Sequence, residues 1–241
     1  MTKFYVFGGG GYLADAFLST QTQLSTFAMP RDLLPTEEGV YIDFSFPTNF
    51  NDDETMAKYK ETILSRCLMC KELNSRYIYI GSISSIHRAT SNYGRRKAEV
   101  EDSVKRNGGI ILRLGLILEW ENPGGRFKEF LDQLENLPAL ISPSKDTFEL
   151  WNLRLNSAFD SINSIVVASS EKNDYVARGV FKSSLYEVVR EYSLISSRNF
   201  LSAPSILSRF LQILVRYKYV PCPDAVRSLA VSRDLSEMRF I

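Results

Sequence analysis

The 241-residue sequence predicts an α/β fold built on a parallel sheet, and three observations carry that expectation. Strand-like and helix-like patterns alternate through the first half, which is the sequence sign of βαβ units. Four consecutive glycines, Gly8 to Gly11, separate the first strand-like run from the first helix-like run. The apolar run Ile110 to Leu112 is short and continuous, as a strand covered on both faces requires.

In chain order, residues 3 to 8 read as a strand, 12 to 20 as a helix, 24 to 29 as a second strand and Val40 to Phe44 as a third. The acidic run Asp52-Asp53-Glu54 suits a helix start. From there to Leu73 the residues Ile63, Leu64, Cys67 and Leu68 have the spacing of one buried helical face. Arg76 to Ile80 reads as a strand and Tyr93 to Arg106 as a helix, closed by Gly108-Gly109 before the strand Ile110 to Leu112. Beyond Leu118 the alternation fades. Pro123-Gly124-Gly125 marks a loop, and Phe127, Phe130, Leu131 and Leu134 form a helical stripe. Tyr175 to Phe181 reads as a strand, followed by a helix through Leu185, Val188 and Val189. Residues Ser205 to Tyr217 read as an amphipathic helix, suited to burial against a neighbouring lobe more than to membrane docking.

The composition bounds the partners. With 29 basic and 28 acidic side chains the net charge is +1, so no overall field recommends nucleic acid or an anionic membrane, and a small molecule is the expected ligand. Arg113, Arg209 and Arg216 interrupt the most apolar stretches before they reach membrane-spanning length. Lys3 to Phe7 is strand-like, without the three regions of a signal peptide, and the expected location is the cytoplasm. Three cysteines argue against a disulfide framework. Cys67 and Cys70 have CxxC spacing, but one His and no second cysteine pair leave a zinc site incomplete, so both are expected to be core or half-buried thiols rather than a redox or metal site.

The glycine run carries the first chemical signal. A strand entering Gly8-Gly9-Gly10-Gly11-Tyr12-Leu13-Ala14 and then a helix places backbone N–H groups where they can hold a diphosphate. Gly8 makes the turn, Gly11 permits close approach, and Ala14 is small enough for the helix to pack on the strand. With that context the expected fold is a Rossmann-type, doubly wound parallel sheet that binds a nicotinamide dinucleotide. The expected cofactor contacts are Gly8, Gly10, Gly11, Tyr12 and Leu13. After the second strand the order is Met29-Pro30-Arg31-Asp32. Arg31 comes first and suits a ribose 2′-phosphate, so NADP(H) is preferred, while Asp32 keeps NAD(H) possible.

Tyr93 and Lys97 stand four apart on a helix and so share one face. They open the helix after the strand ending at Gly81-Ser82, where the carboxyl ends of parallel strands place ligands. A phenol of ordinary pKa near 10 transfers protons poorly at neutral pH unless a cation stabilises its anion, and Lys97 supplies one. Ser82 can donate a hydrogen bond to a substrate oxygen while Tyr93 gives or takes a proton. Ser84 or Ser85 could stand in for Ser82, and an idle surface pair beside a serine-rich loop is the plainer alternative.

These residues resemble the short-chain dehydrogenase/reductase superfamily, in particular its extended branch of nucleotide-sugar epimerases, dehydratases and reductases. The resemblance rests on Gly8-x-x-Gly11-x-x-Ala14, the strand end Tyr79 to Ser82, Tyr93-Gly94-Arg95-Arg96-Lys97, and Arg113-Leu114-Gly115. It implies Ser82, Tyr93 and Lys97 as the catalytic trio, with Lys97 also binding the nicotinamide ribose. It further implies a segment after Arg113 to Gly115 that turns toward substrate, and pairing through two helices into a homodimer. A C-terminal lobe including Pro204-Ser205 and Ser228 to Ser232 is implied to grip the nucleotide, and basic residues outnumber acidic ones from Arg190 to Ile241. The chain departs from the family in three places. Too few residues separate the second strand from Val40 for the usual additional strand and helix, so the sheet is expected to be trimmed by one unit. Ser45-Phe46-Pro47-Thr48 stands where an Asn-Ala-Ala or Ala-Ala loop often lies beside the cofactor. Ile83 and Ser84 follow Ser82 where the family's dehydratases carry an Asp-Glu pair, which argues against dehydration.

Residues 1–118 are thus expected to form the dinucleotide-binding core, and 119–241 to complete the sheet and form a small substrate-binding lobe. The expected activity is NAD(P)-dependent reduction or epimerisation of a nucleotide-linked sugar by hydride transfer, in polysaccharide biosynthesis. Two alternatives stand beside it: a non-catalytic dinucleotide-binding protein that senses redox state or acts as a scaffold, and a reductase of a small non-sugar carbonyl compound.

Overall fold

The computed structural model describes residues 3–21, 25–86, 91–137, 139–145, 148–167, 173–209 and 241. A six-stranded parallel sheet forms its centre, in the order β2-β1-β3-β4-β5-β9. These strands are β1 (Phe4–Phe7), β2 (Thr26–Met29), β3 (Val40–Asp43), β4 (Arg76–Ser82), β5 (Ile110–Leu114) and β9 (Asp174–Val176). Successive side chains on a strand point to opposite faces, and β1 shows the division plainly. Phe4 and Val6 face a cluster with Ala14 and Phe17 of α1 (Tyr12–Thr20) and Phe159 and Ile162 of α5 (Leu155–Val167). Tyr5 and Phe7 face a second cluster with Ile63 and Cys67 of α2 (Asp53–Glu72) and Val100 and Val104 of α3 (Asn92–Arg106). Helices thus cover both faces, and the α/β, Rossmann-type expectation holds.

The sheet is trimmed. After β2 the chain runs through residues 30–39 with no helix or further strand and returns as β3 on the other side of β1. That leaves β2 at the edge, with Phe27 47% exposed.

Helix ends follow their local chemistry. Asp52 accepts from the Thr55 backbone N–H at 2.8 Å, and Asp53 and Glu54 then occupy the positive first turn of α2. Ser91 caps α3 by accepting from Gly94 N–H at 2.9 Å. Arg76 reaches across to donate to the Ile165 and Val166 carbonyls at 2.7 and 2.6 Å, satisfying the end of α5.

A smaller cluster gathers beside the C-terminal ends of the central strands. It contains β6 (Leu116–Ile117), α4 (Gly125–Glu135), β7 (Leu140–Ser142), β8 (Glu149–Leu153), β10 (Phe181–Ser184), α6 (Leu185–Ser196) and β11 (Phe200–Ser202). β8 pairs antiparallel with β10 and parallel with β6, and β7 pairs with β11.

Three sequence expectations need correction. Residues 175 to 181 are not one strand: Gly179, at φ +80°, turns the chain between β9 and β10. Leu64 and Leu68 are 37% and 44% exposed, because the buried face of α2 is instead Met56, Ile63, Arg66, Cys67 and Cys70. The buried face thus includes a guanidinium, at a position the sequence pattern did not assign to the core. The segment from Ser205 is helical through residue 209 with Ile206 and Leu207 exposed, and the rest of the expected amphipathic helix lies outside the described residues, as does Ser228 to Ser232. Both CxxC thiols are buried as expected, and burial pushes the Cys67 thiol up to about 12.

Candidate active site

The glycine turn leaves β1 at its carboxyl end. Gly8 has φ +87°, and a Cβ there would lie 2.8 Å from the Ser45 backbone nitrogen, so both backbone conformation and the neighbouring loop require glycine. Gly11 N–H donates to Gly8 C=O at 2.9 Å, which closes the turn. Gly11 is the N-cap of α1 and offers no side chain to its first N–H groups, while the space beside Gly10 is open to 4 Å. An uncapped helix start next to open space fits a diphosphate.

Beside this turn, the ends of β4 and β5 and the starts of α3 and α4 enclose a cavity of about 180 Å³. Tyr12, Leu13, Ser82, Tyr93 and Lys97 all line it, together with Phe44, Phe46, Ile117 and Phe127. Typical ligand pockets begin near roughly 300 Å³, so the cavity has room for part of a dinucleotide-sized molecule and not for the whole of it. Arg31 stands outside it, exposed, in the segment after β2.

Each functional side chain has a local cause. β4 ends at Ser82, whose backbone N–H donates to Glu101 Oε1 at 3.1 Å and whose Oγ accepts from Ser84 N–H at 3.2 Å. α3 approaches this corner closely: a Cβ on Gly94 would lie 2.3 Å from the Ser84 carbonyl oxygen. That glycine lets Tyr93 and Lys97 reach the cavity that Ser82 lines. The Tyr93 ring meets Phe46 and Phe50 edge-on, at 5.4 and 5.5 Å between centroids. Lys97 is 4% exposed, and its Nζ donates to Ile80 C=O at 3.0 Å and to Tyr79 Oη at 3.2 Å while lying 4.4 Å from the Phe46 ring centre. The aromatic face and the two oxygens stabilise the ammonium where water is scarce. Burial, with Tyr59 and Glu101 adding, pushes the Tyr79 phenol well above its ordinary value, so it stays neutral beside Lys97.

Ser84 and Ser85 differ in their claim to replace Ser82. Ser84 lines the cavity through a buried turn. The Ser85 hydroxyl is committed elsewhere, to Glu101 Oε2 at 2.6 Å and Ser82 C=O at 2.7 Å. Arg113 Nε donates to the same Glu101 oxygen at 2.8 Å, and its Nη1 pairs with Asp174 on β9. Burial opposes the Arg113 charge, but the Glu101 and Asp174 carboxylates outweigh it and hold the guanidinium above its ordinary value. Glu101 and Phe50 were not singled out from sequence, and Gly94 and Phe46 were named only as members of longer segments. Glu101 could have been singled out, because it continues the face of Tyr93 and Lys97 at i+8.

The far wall is the loop before α4. Tyr12 Oη donates to Asn122 C=O at 3.1 Å, and the Tyr12 ring lies so close to Gly124 that a Cβ there would stand 2.1 Å from it. Burial and the Glu119 carboxylate raise the Tyr12 phenol.

No family model matches the sequence, and no curated protein matches it. Solved structures do. The dTDP-4-dehydrorhamnose reductase of Bacillus anthracis, solved with NADP, superposes with a TM-score of 0.65 at 12% identity, covering 86% of each chain. The UDP-N-acetylglucosamine 4-epimerase of Bacillus cereus gives a TM-score of 0.61 at 14% identity, covering 88% of this chain and 90% of that one. The reductase domain of the aureusimine biosynthetic cluster gives 0.65 at 13% identity, over 95% and 82%. The chain therefore has the Rossmann-type α/β fold that these two reductases and this epimerase share.

Proposed function

We propose that the chain is an NADP(H)-preferring oxidoreductase of the extended short-chain dehydrogenase/reductase type that reduces, or epimerises through, a keto group on a nucleotide-linked sugar. The observation that carries this reading is the convergence of Ser82, Tyr93 and Lys97 on one cavity beside an uncapped glycine turn, at the carboxyl ends of the parallel strands. The likeness to sugar-nucleotide reductases and epimerases supports it through the fold.

In this reading the backbone of Gly8, Gly10, Gly11, Tyr12 and Leu13 holds the diphosphate, Arg31 meets the adenosine ribose, and Lys97 binds the nicotinamide ribose. A bound reduced dinucleotide supplies the hydride to the carbonyl carbon. Ser82 Oγ donates a hydrogen bond to the carbonyl oxygen, and Tyr93 transfers its phenolic proton to that oxygen as the C–O bond becomes an alcohol. Lys97 lowers the cost of the Tyr93 phenolate that remains. The apolar walls, Phe44, Phe46, Ile117 and Phe127, exclude water from the reacting atoms. The residues after Arg113 to Gly115 run into β6 and the cavity wall, which suits contact with substrate.

The test is Tyr93→Phe. NADPH oxidation is followed with a panel of 4-keto nucleotide sugars, and the variant is expected to lose at least 1,000-fold in kcat, on the order of general acid–base contributions, while binding NADPH within about twofold of the parent. Activity surviving in Tyr93→Phe removes Tyr93 from the mechanism. A second reading, dinucleotide binding without turnover, draws on the hold that Tyr79 and Ile80 have on Lys97. It predicts NADPH binding by the parent protein with no turnover of any carbonyl substrate.

A further inference from the structure

Arg66 is fully buried on α2, among the core of the sheet, and its guanidinium is bonded on every side. Nη1 lies 2.7 Å from Asp43 Oδ2 at the end of β3 and 3.3 Å from Ser45 Oγ. Its plane covers the Phe7 ring, with the central carbon 3.6 Å from the ring centre. The remaining donors leave the core: Nη2 donates to the Arg31 carbonyl and Nε to the Leu33 carbonyl at 3.4 Å. Asp43 is itself committed, accepting from Tyr77 Oη at 2.6 Å and from Ser45 N–H at 2.7 Å.

Two features make this more than a core ion pair. An apolar side chain of similar volume would fill the same space without desolvating a charge, so a buried guanidinium is informative where it must hold several acceptors at once. Two of the acceptors, the Arg31 and Leu33 carbonyls, belong to the segment after β2, which crosses between strands with no helix to hold it. The same Arg66–Asp43–Ser45 group touches the loop whose Ser45 nitrogen faces Gly8. One side chain thus links the segment carrying Arg31 to the loop supporting the glycine turn.

We propose that Arg66 is a positioning residue for dinucleotide selectivity: it fixes the Arg31 backbone relative to the glycine turn, so that Arg31 can engage the 2′-phosphate of an NADP-type adenosine ribose. This rests on the reading of Arg31 as the 2′-phosphate contact. The trimmed sheet explains why a side chain carries the task, since a strand and helix would otherwise order this part of the chain.

The experiment compares dissociation constants for NADPH and NADH, read by nucleotide fluorescence on the full chain, in the parent, Arg31→Ala and Arg66→Lys. Lysine keeps a cation opposite Asp43 but has one nitrogen, which cannot also reach the carbonyls of residues 31 and 33. The parent is expected to prefer NADPH by at least tenfold, and Arg31→Ala to lose that preference. Arg66→Lys is expected to lose at least fivefold of it while binding NADH within twofold of the parent. A purely structural role would weaken both dinucleotides together and leave the ratio unchanged, and that outcome overturns the proposal while Arg31 keeps its role. A parent without NADPH preference, or an Arg31→Ala variant that retains it, overturns the Arg31 reading and the proposal with it. Should Arg66→Lys fail to fold, the neutral pair Asp43→Asn/Arg66→Gln leaves no uncompensated buried charge, and its NADPH-to-NADH ratio is judged by the same criterion.

Discussion

At the scale of single residues, Glu101 joins three partners at the corner where Ser82 sits. Its two carboxylate oxygens hold the Ser82 backbone, the Ser85 hydroxyl and Arg113, and the carboxylate lies against the end of β4 so closely that a Cβ on Gly81 would stand 2.5 Å from it. Glutamine has nearly the same shape, but with its oxygen kept toward the Arg113 Nε and the Ser85 hydroxyl its Nε2 is a donor facing the Ser82 backbone N–H. Removing one partner of a buried pair costs about 3–5 kcal/mol, and Asp174 remains to hold Arg113, so the lower end applies. Glu101→Gln is expected to lose about 3 kcal/mol of unfolding free energy in urea melts. Its kcat is expected to fall about tenfold with little change in KM, because a small displacement of Ser82 acts on the transition state more than on binding. A destabilised variant with full kcat would show that Ser82 needs no such support.

At the scale of elements, the glycine turn separates two requirements that the sequence merges. Gly8 combines a positive φ with a blocked Cβ direction, whereas Gly10 has open space around it. Gly8→Ala is expected to destabilise the fold by about 2 kcal/mol or more, since left-handed backbone alone costs roughly 1–2 kcal/mol for a residue with a Cβ. Gly10→Ala is expected to leave Tm unchanged and to weaken NADPH binding at least tenfold, by placing a methyl group where the diphosphate must approach. Thermal melts with and without NADPH distinguish the two, and an undiminished NADPH-induced rise in Tm for Gly10→Ala would count against the diphosphate site. What could be read from sequence follows the same division. The turn, the β1-to-α1 context and the Tyr93–Lys97 face are set within a few residues, so their spacing exposed them. The Arg66–Asp43 pair joins residues 23 apart and Arg113–Asp174 joins residues 61 apart, and no local pattern reports such distances. Phe46 and Phe50 read as part of an irregular loop until the fold sets their rings against Tyr93. Gly179 was a visible stop signal between β9 and β10, outweighed by the β-forming residues around it.

At the scale of the whole molecule, the two faces of the sheet differ in chemistry, and that difference has a measurable consequence. The face under α1 and α5 is built largely from aliphatic residues and Phe, whereas the face under α2 and α3 buries Tyr5, Tyr41, Tyr77 and Tyr79. Tyr77 is 3% exposed and Tyr79 fully buried, and burial drives both phenols well above their ordinary value, with Asp43 adding for Tyr77 and Tyr59 for Tyr79. The native state therefore keeps both protons at a pH where an unfolded chain, with phenols near pKa 10, has released them. By linkage the stability from this difference is complete below about pH 10 and declines above it, by about 1.4 kcal/mol per pH unit for each phenol until the folded-state values are reached. Two such groups give a combined slope of about 2.8 kcal/mol per pH unit, large against a typical total of roughly 5–15 kcal/mol. Absorbance at the phenolate band and circular dichroism, followed together from pH 9 to 12, are expected to show exposed tyrosines ionising first. A later, cooperative step should then coincide with loss of ellipticity. Smooth ionisation of every tyrosine with the fold intact would mean that this face of the sheet admits water, which would also weaken the dry setting assigned to Lys97 beside Tyr79.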